Sequence, residues 1–159
     1  MIEIVESNYT ADGHQEFITE LLDEYSKGLT GGGVGLPETV KANVVKELEK
    51  RDNIHTVMAF VDGKPAGLVI SIEGFSTFAC KPLLNIHDVV VSAKFREQGI
   101  AKMMLVKIEE IALRSGCCKL TLEVLEGNAA ARNLYESAGF KPYQLDPEMG
   151  KALFLEKKL

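Results

Sequence analysis

The sequence predicts an α/β protein of the mixed α+β kind, with one central mixed sheet of about seven strands and helices on both faces. Three observations predict it. Apolar periodicity alternates between strand-like and helix-like spacing, in the order β-α-α-β-β-β-α-β-α-β-β. The dipeptide Asp62-Gly63 joins two apolar runs, and Asp-Gly supplies the positive φ angles of a two-residue hairpin turn. A nearly continuous apolar strand then leads through a short polar loop into the longest amphipathic helix of the chain. The 159 residues are one domain's worth of length, with no repeat, low-complexity tract or linker, so residues 1–159 are read as a single domain.

Taken in order, residues 2–6 read as a short first strand. Residues 11–27 form a helix carrying Phe17, Ile18, Leu21, Leu22 and Tyr25 at helical spacing. The breaker cluster Thr30-Gly31-Gly32-Gly33-Val34-Gly35 follows. Pro37 then opens a second helix that runs to Arg51 through Val40, Val44, Val45 and Leu48. Residues 55–61 and 65–72 are the two strands of the hairpin. Residues 83–91 are an apolar strand interrupted by Asn85, His87 and Asp88. Residues 99–115 are the long helix, with Ile100, Met104, Ile108, Ile111 and Ala112 on one face. A strand over 120–125, a helix over 129–138 and closing strands over 140–145 and 152–156 complete the chain.

Composition narrows the function. The chain is 46% hydrophobic and 26% charged, which excludes a disordered or fibrous protein. No apolar run reaches the roughly 20 residues of a membrane span, and the N-terminus lacks a basic signal region, so a cytoplasmic protein without membrane contact is expected. A formal charge of −5 argues against a broad nucleic-acid-binding surface. The charge is unevenly distributed: residues 1–26 carry seven acids and no Lys or Arg, whereas residues 94–119 carry six bases against three acids. Cys80, Cys117 and Cys118 are too few and too irregular for a disulfide framework or a tetrahedral metal site, so no metal is expected. Cys117-Cys118 reads as a strand entry with one or both thiols buried and reduced.

The most informative segment runs from Val89 to Lys102. A strand ends at Val89-Val90-Val91, a loop carries Arg96, Glu97 and Gln98, and a helix begins at Gly99-Ile100-Ala101-Lys102. Unpaired N–H groups and the helix dipole make such a start a place for phosphate, and Gly99 permits close approach of the main chain. The pattern is neither a Walker loop nor a dinucleotide fingerprint.

Arg96-x-x-Gly99-x-Ala101 in this setting resembles the acyl-CoA pyrophosphate motif of the GNAT N-acetyltransferases. A second block, from Asn128 through Ala131 and Tyr135 to Gly139-Phe140, is similar to that family's Asn-x-x-Ala-x-x-x-Tyr-x-x-x-Gly-Phe segment. The resemblance implies a GNAT-like acyl-CoA N-acyltransferase fold, acetyl-CoA as cosubstrate and a homodimer. It implies that the backbone of Val89, Val90 and Val91 binds the pantetheine arm, with the Val90 N–H towards the thioester carbonyl. Arg96, Glu97, Gln98, Gly99, Ile100, Ala101 and Lys102 would hold the pyrophosphate, and Asn128 would bond the pantetheine. Tyr135 would be the general acid to the departing thiolate, a role the chemistry allows because a phenol near pKa ~10 donates to a thiolate near ~8.5. The alternative is a half-buried tyrosine packing on the sheet. Glu97 stands where the family commonly has glycine or a base, so its carboxylate must face solvent. Ser92-Ala93 lacks the proline often found in this loop.

An alkylamine acceptor, with a pKa near ~10.4, needs a base to supply its neutral form. His87, Asp88 and Glu123 are the candidates. His87 and Asp88 are adjacent on a strand and point to opposite faces unless a bulge near Val89 shifts the alternation. The run Ser76-Thr77-Phe78, with Asp88 before the valines, resembles the diamine and thialysine acetyltransferases, with His87 replacing a glutamate of that subgroup. Asp88 also fits a structural ion pair, His87 a satisfied structural histidine, and Glu123 a sheet-pairing residue. Thr30 to Gly35 reads as a flexible loop over the acceptor pocket.

The expected activity is acetyl transfer to the primary amine of a small metabolite by direct attack. A protein or peptide N-acetyltransferase and a non-catalytic acyl-CoA sensor are the alternatives.

Overall fold

Residues alternating across β-strands must bury one set of side chains on each face, and this sheet is covered on both. The computed structural model describes residues 1–159. They form two compact units, Met1–Leu122 and Glu123–Leu159.

The first unit holds a five-stranded sheet in the order β1 (Ile2–Glu6), β2 (Ile54–Val61), β3 (Lys64–Ser76), β4 (Lys81–Val91) and β5 (Leu120–Leu122). The first three pairings are antiparallel and β4 pairs β5 in parallel, so the sheet is mixed. The hairpin turns at Asp62-Gly63, where both residues have positive φ. On one face lie α1 (His14–Lys27), α2 (Glu38–Lys41) and α3 (Val44–Glu49). Ile18 and Leu21 of α1 and Val45 of α3 pack there with Met58, Phe60, Leu68, Ile70 and Val90. The residues between these on β2 and β3 point the other way. There α4 (Ile100–Arg114) covers the sheet with Ile100, Met104, Leu105, Ile108 and Ile111 all buried. Gly67 makes this approach possible, since a Cβ on it would lie 2.7 Å from the Met104 methyl carbon.

The C-terminal end of α4 is tied to the sheet by charge. Arg114 donates to Glu6 Oε2 at 2.8 Å. His55 lies between Glu6 and Glu73, with Nδ1 3.6 Å from Glu6 Oε1 and Nε2 3.7 Å from Glu73 Oε2. Burial opposes ionisation of Glu6, but the Arg114 guanidinium and His55 outweigh it and hold its carboxyl below the usual range.

Several elements differ from expectation. The helix expected over 37–51 is broken into α2 and α3, because the Asn43 side chain donates to the Thr39 carbonyl at 2.7 Å and competes with the helical backbone. The first helix starts at His14 instead of 11, after Asn8 caps the N–H groups of Thr10 and Ala11. The glycine cluster is pinned rather than free. Gly28, Gly31 and Gly33 close a 3₁₀ turn over Leu29–Gly31 against the end of α1 through backbone bonds of 2.9–3.0 Å.

The second unit contains α5 (Ala129–Ser137) and a 3₁₀ turn over Pro147–Met149. The strand expected over 120–125 ends at Leu122, and the closing strands over 140–145 and 152–156 do not form, so the sheet has five strands and not about seven. Pro142 removes a ladder donor, and the Ala152 N–H bonds the Tyr143 carbonyl at 3.4 Å without a strand ladder around it. Leu153 and Phe154 stay 84% and 78% exposed. All three cysteines are free; Cys118 is exposed and Cys117 only half-buried, so the expectation of a buried thiol fails at Cys118.

A Cβ at Gly31 would stand 2.1 Å from the Tyr25 carbonyl oxygen, a backbone atom that cannot swing aside. Gly31→Ala should therefore cost about 1–3 kcal/mol, read as a fall in the thermal midpoint.

Candidate active site

Strand β4 is the axis of the site. Opposite β3, Ile70 pairs with Asp88 and Ser71 with Ile86, which leaves His87 as an extra residue: a β-bulge. Residues directly opposite one another share a face. Ile86 thus points to the α4 side, while Asp88 and Val90 point to the α1 side. The expectation of a bulge near Val89 is met two residues earlier, at His87. It places Asp88 in the half-buried interior under α1 and leaves His87 exposed.

Asp88 there meets the end of α1. Burial pushes its carboxyl above the usual range, and the neighbouring His87 pulls it only partly back. Burial also raises the Tyr25 phenol; the charge of Asp88 adds to the rise, and a hydrogen bond with Thr30 opposes it. Tyr25 and Thr30 thus stand with Asp88 on this side of the sheet. Nothing in their sequence spacing signals this, because α1, the glycine turn and β4 meet only in the fold.

The other edge of β4 is open beyond Ile86. β5 pairs with Leu84, Asn85 and Ile86 only, so Val89, Val90 and Val91 keep β3 on one side and no strand on the other. Backbone groups there can accept an extended ligand as an added strand.

The strand leads into Ser92, which is buried and donates its N–H to the Ala66 carbonyl at 2.9 Å. A 3₁₀ turn spans Ala93–Phe95, and Ala93 N–H bonds Glu24 Oε1 at 2.7 Å. Arg96 reaches back to the Val91 carbonyl at 3.5 Å. Glu97 adopts φ 64° and Gly99 φ 75°, and space around Gly99 is open. The first bond into α4 runs from Met103 N–H to the Gly99 carbonyl, so the N–H groups at 99–102 point out of the helix start. A pyrophosphate fits these donors: helix-start N–H groups, an unobstructed Gly99, and the exposed Arg96 cation with Lys102 in the first turn. Gln98 and Glu97 are exposed, and the Glu97 carboxylate faces solvent as the charge of the ligand requires.

In the second unit, Asn128 caps α5 by accepting from Ala131 N–H at 3.2 Å. Tyr135 is half-buried with its ring edge-on to Phe140, centroids 5.9 Å apart. Gly139, at φ 90°, ends the helix and lets Phe140 N–H return to the Tyr135 carbonyl at 3.0 Å. Glu123 lies just beyond the end of β5 and is exposed. No group of three or more His, Cys, Asp and Glu side chains converges as a metal site, and no helix is long and apolar enough to cross a membrane.

An open strand edge running into a helix start with free N–H groups, with a half-buried carboxyl beside it, is an arrangement suited to group transfer from an anionic carrier. Comparison with known proteins agrees. Residues 16–140 match the family model described as Acetyltransferase (GNAT) family. A thialysine N-epsilon-acetyltransferase of Caenorhabditis elegans is 28% identical over 109 residues, covering 65% of this chain and 68% of that protein. Matches to mammalian proteins of the same name cover about a third of their length. An uncharacterized N-acetyltransferase of Archaeoglobus fulgidus is 31% identical over 127 residues, covering 79% of this chain and 85% of that protein. Among solved structures, that of a probable acetyltransferase aligns with TM-score 0.82 at 20% identity, covering 98% of each chain. The chain belongs to the GNAT acetyltransferase family, and its chemistry is acyl-CoA-dependent N-acetylation.

The raised Asp88 carboxyl carries a stability signature. The folded protein holds the Asp88 proton to higher pH than the unfolded chain does. Ionisation therefore costs stability as pH rises from the unfolded value, about 4, through the folded one. Asp88→Asn removes this cost. Its thermal midpoint relative to wild type should rise between pH 4 and 8; a pH-independent difference would show that burial does not perturb Asp88.

Proposed function

We propose that this protein transfers acetyl from acetyl-CoA to the primary amine of a small metabolite of the diamine or amino-acid type. The observation that carries this reading is the His87 bulge, which turns the half-buried Asp88 towards α1 beside an unpaired strand edge. When bound, acetyl-CoA supplies the activated thioester. Arg96, Lys102 and the N–H groups at 99–102 hold its pyrophosphate; Val89, Val90 and Val91 receive the pantetheine along the strand edge. Asn128 and Tyr135 take the roles that their match to the family motif assigns: a bond to the pantetheine and proton donation to the sulfur.

Asp88, buried and raised, is a base matched to an ammonium proton better than an ordinary aspartate, because its conjugate acid is less acidic. The excess of acids over the first 26 residues favours a cationic acceptor over an acidic one, with Glu16 and Glu20 the acids of α1 not engaged in holding loops. The thialysine enzyme among the relatives acts on such an amine, which supports this class of acceptor without fixing the member. His87 is exposed next to Asp88, where it modulates that carboxyl. Attack is direct, since no cysteine lies among these residues. The family resemblance supports a homodimer, and the match over 16–140 supports reading both units as one working domain.

Thiol release from acetyl-CoA, measured across linear diamines, lysine analogues, ornithine, aminoglycosides and a lysine peptide, tests the reading. Release with small amines is expected. Release with the peptide alone would make this a protein acetyltransferase, and tight CoA binding without release on any acceptor would make it a sensor.

Tyr135→Phe should lower kcat about 100-fold, within the usual range for losing a general acid, while the acetyl-CoA KM changes less than about twofold. An unchanged kcat would remove Tyr135 from the chemistry.

A further inference from the structure

The last turn of α1 touches both halves of the proposed site through neighbouring carboxylates. Asp23 faces the segment that follows the glycine turn. Its Oδ1 accepts from Leu36 N–H at 2.8 Å and lies 3.4 Å from Lys41 Nζ, and its Oδ2 accepts from Lys27 Nζ at 2.6 Å. This fixes the exit of the glycine turn. Glu24, the next residue, points elsewhere: its Oε1 accepts the Ala93 N–H at 2.7 Å.

Ala93 opens the 3₁₀ turn between the end of β4 and Arg96. The neighbouring N–H groups of that turn are served by the main chain, Ser92 by the Ala66 carbonyl and Phe95 by the Ser92 carbonyl. The Ala93 N–H instead depends on a side chain from another element, 69 residues away. The direction of this turn sets where Arg96, Glu97 and the start of α4 point.

A carboxylate near a phosphate site has two opposed effects. Its charge disfavours the anion, whereas its hydrogen bond orders the donors that receive it. We infer that Glu24 is a positioning residue for acetyl-CoA, acting through the Ala93 N–H and not by touching the ligand. The same helical turn that holds the exit of the glycine turn thereby holds the proposed cofactor loop. This inference rests on the reading of residues 96–102 as the pyrophosphate site.

Glu24→Gln and Glu24→Ala separate the two effects. Both remove the charge, but only glutamine keeps an oxygen that can accept the Ala93 N–H. Calorimetry with CoA should show Glu24→Gln binding as tightly as wild type or tighter. Glu24→Ala should bind about three- to tenfold more weakly than Glu24→Gln, the span expected of one hydrogen bond. In turnover, Glu24→Ala should raise the acetyl-CoA KM by the same factor and leave kcat within about twofold. Because Glu24 is exposed, all three proteins should have thermal midpoints within a few degrees of one another. Equal CoA affinity of the two variants would overturn the inference while leaving the site intact. Absence of CoA binding by wild type would instead overturn the pyrophosphate assignment itself.

Discussion

One extra residue in β4 decides what the site contains. Without the bulge at His87, the alternation of β4 would run unbroken. Leu84, Ile86, Asp88 and Val90 would then share one face, and either the aliphatic pair or the carboxylate would be misplaced. With the bulge, Leu84 and Ile86 fill the side beneath α4 while Asp88 and Val90 turn towards α1. The bulge also falls where β5 stops pairing, so the strand changes partner and face over the same few residues. The division of β4 between an apolar side and a half-buried acid comes from this one irregularity, and the end of β5 leaves the backbone edge open beside it.

The electrostatics follow from that placement. Asp88 is perturbed by desolvation, and the group facing it, Tyr25, is a neutral phenol rather than a cation that would drag the carboxyl down. The proposed phosphate side is built the opposite way, from backbone N–H groups and exposed cations. The acidic first 26 residues and the basic stretch after residue 93 are the sequence image of this division, although Asp23 and Glu24 use their charge to hold loops and not to attract substrate.

Features with local causes were legible in the sequence: the Asp62-Gly63 turn, the amphipathic face of α4 and the glycine start of that helix. The pair of motifs around Gly99 and Tyr135 revealed the family for the same reason. Features depending on distant partners were not legible. The break at Asn43 arises from a side chain competing for one carbonyl. The bulge position is a matter of register between two strands. The terminal stretches have the alternation of strands, but alternation alone supplies no ladder partner. Tyr25 and Glu24 are ordinary helix residues until the fold brings Asp88 and Ala93 to them.

The anchoring of α4 has a mechanical consequence. Fifteen residues at about 1.5 Å each make a rod of about 22 Å. Its far end is held by Arg114 on Glu6, beside the buried His55 Nε2, which has no hydrogen-bond partner. Ile100, Met104, Ile108 and Ile111 seat this rod on the sheet, and the ion cluster adds a hold on its angle at the far end. A tilt of about 3° there would sweep the opposite end by about 1 Å, a displacement large enough to misalign helix-start donors from a bound anion. Substitutions at Glu6, His55 or Glu73, remote from every reacting atom, would then act on phosphate binding by changing the aim of the helix.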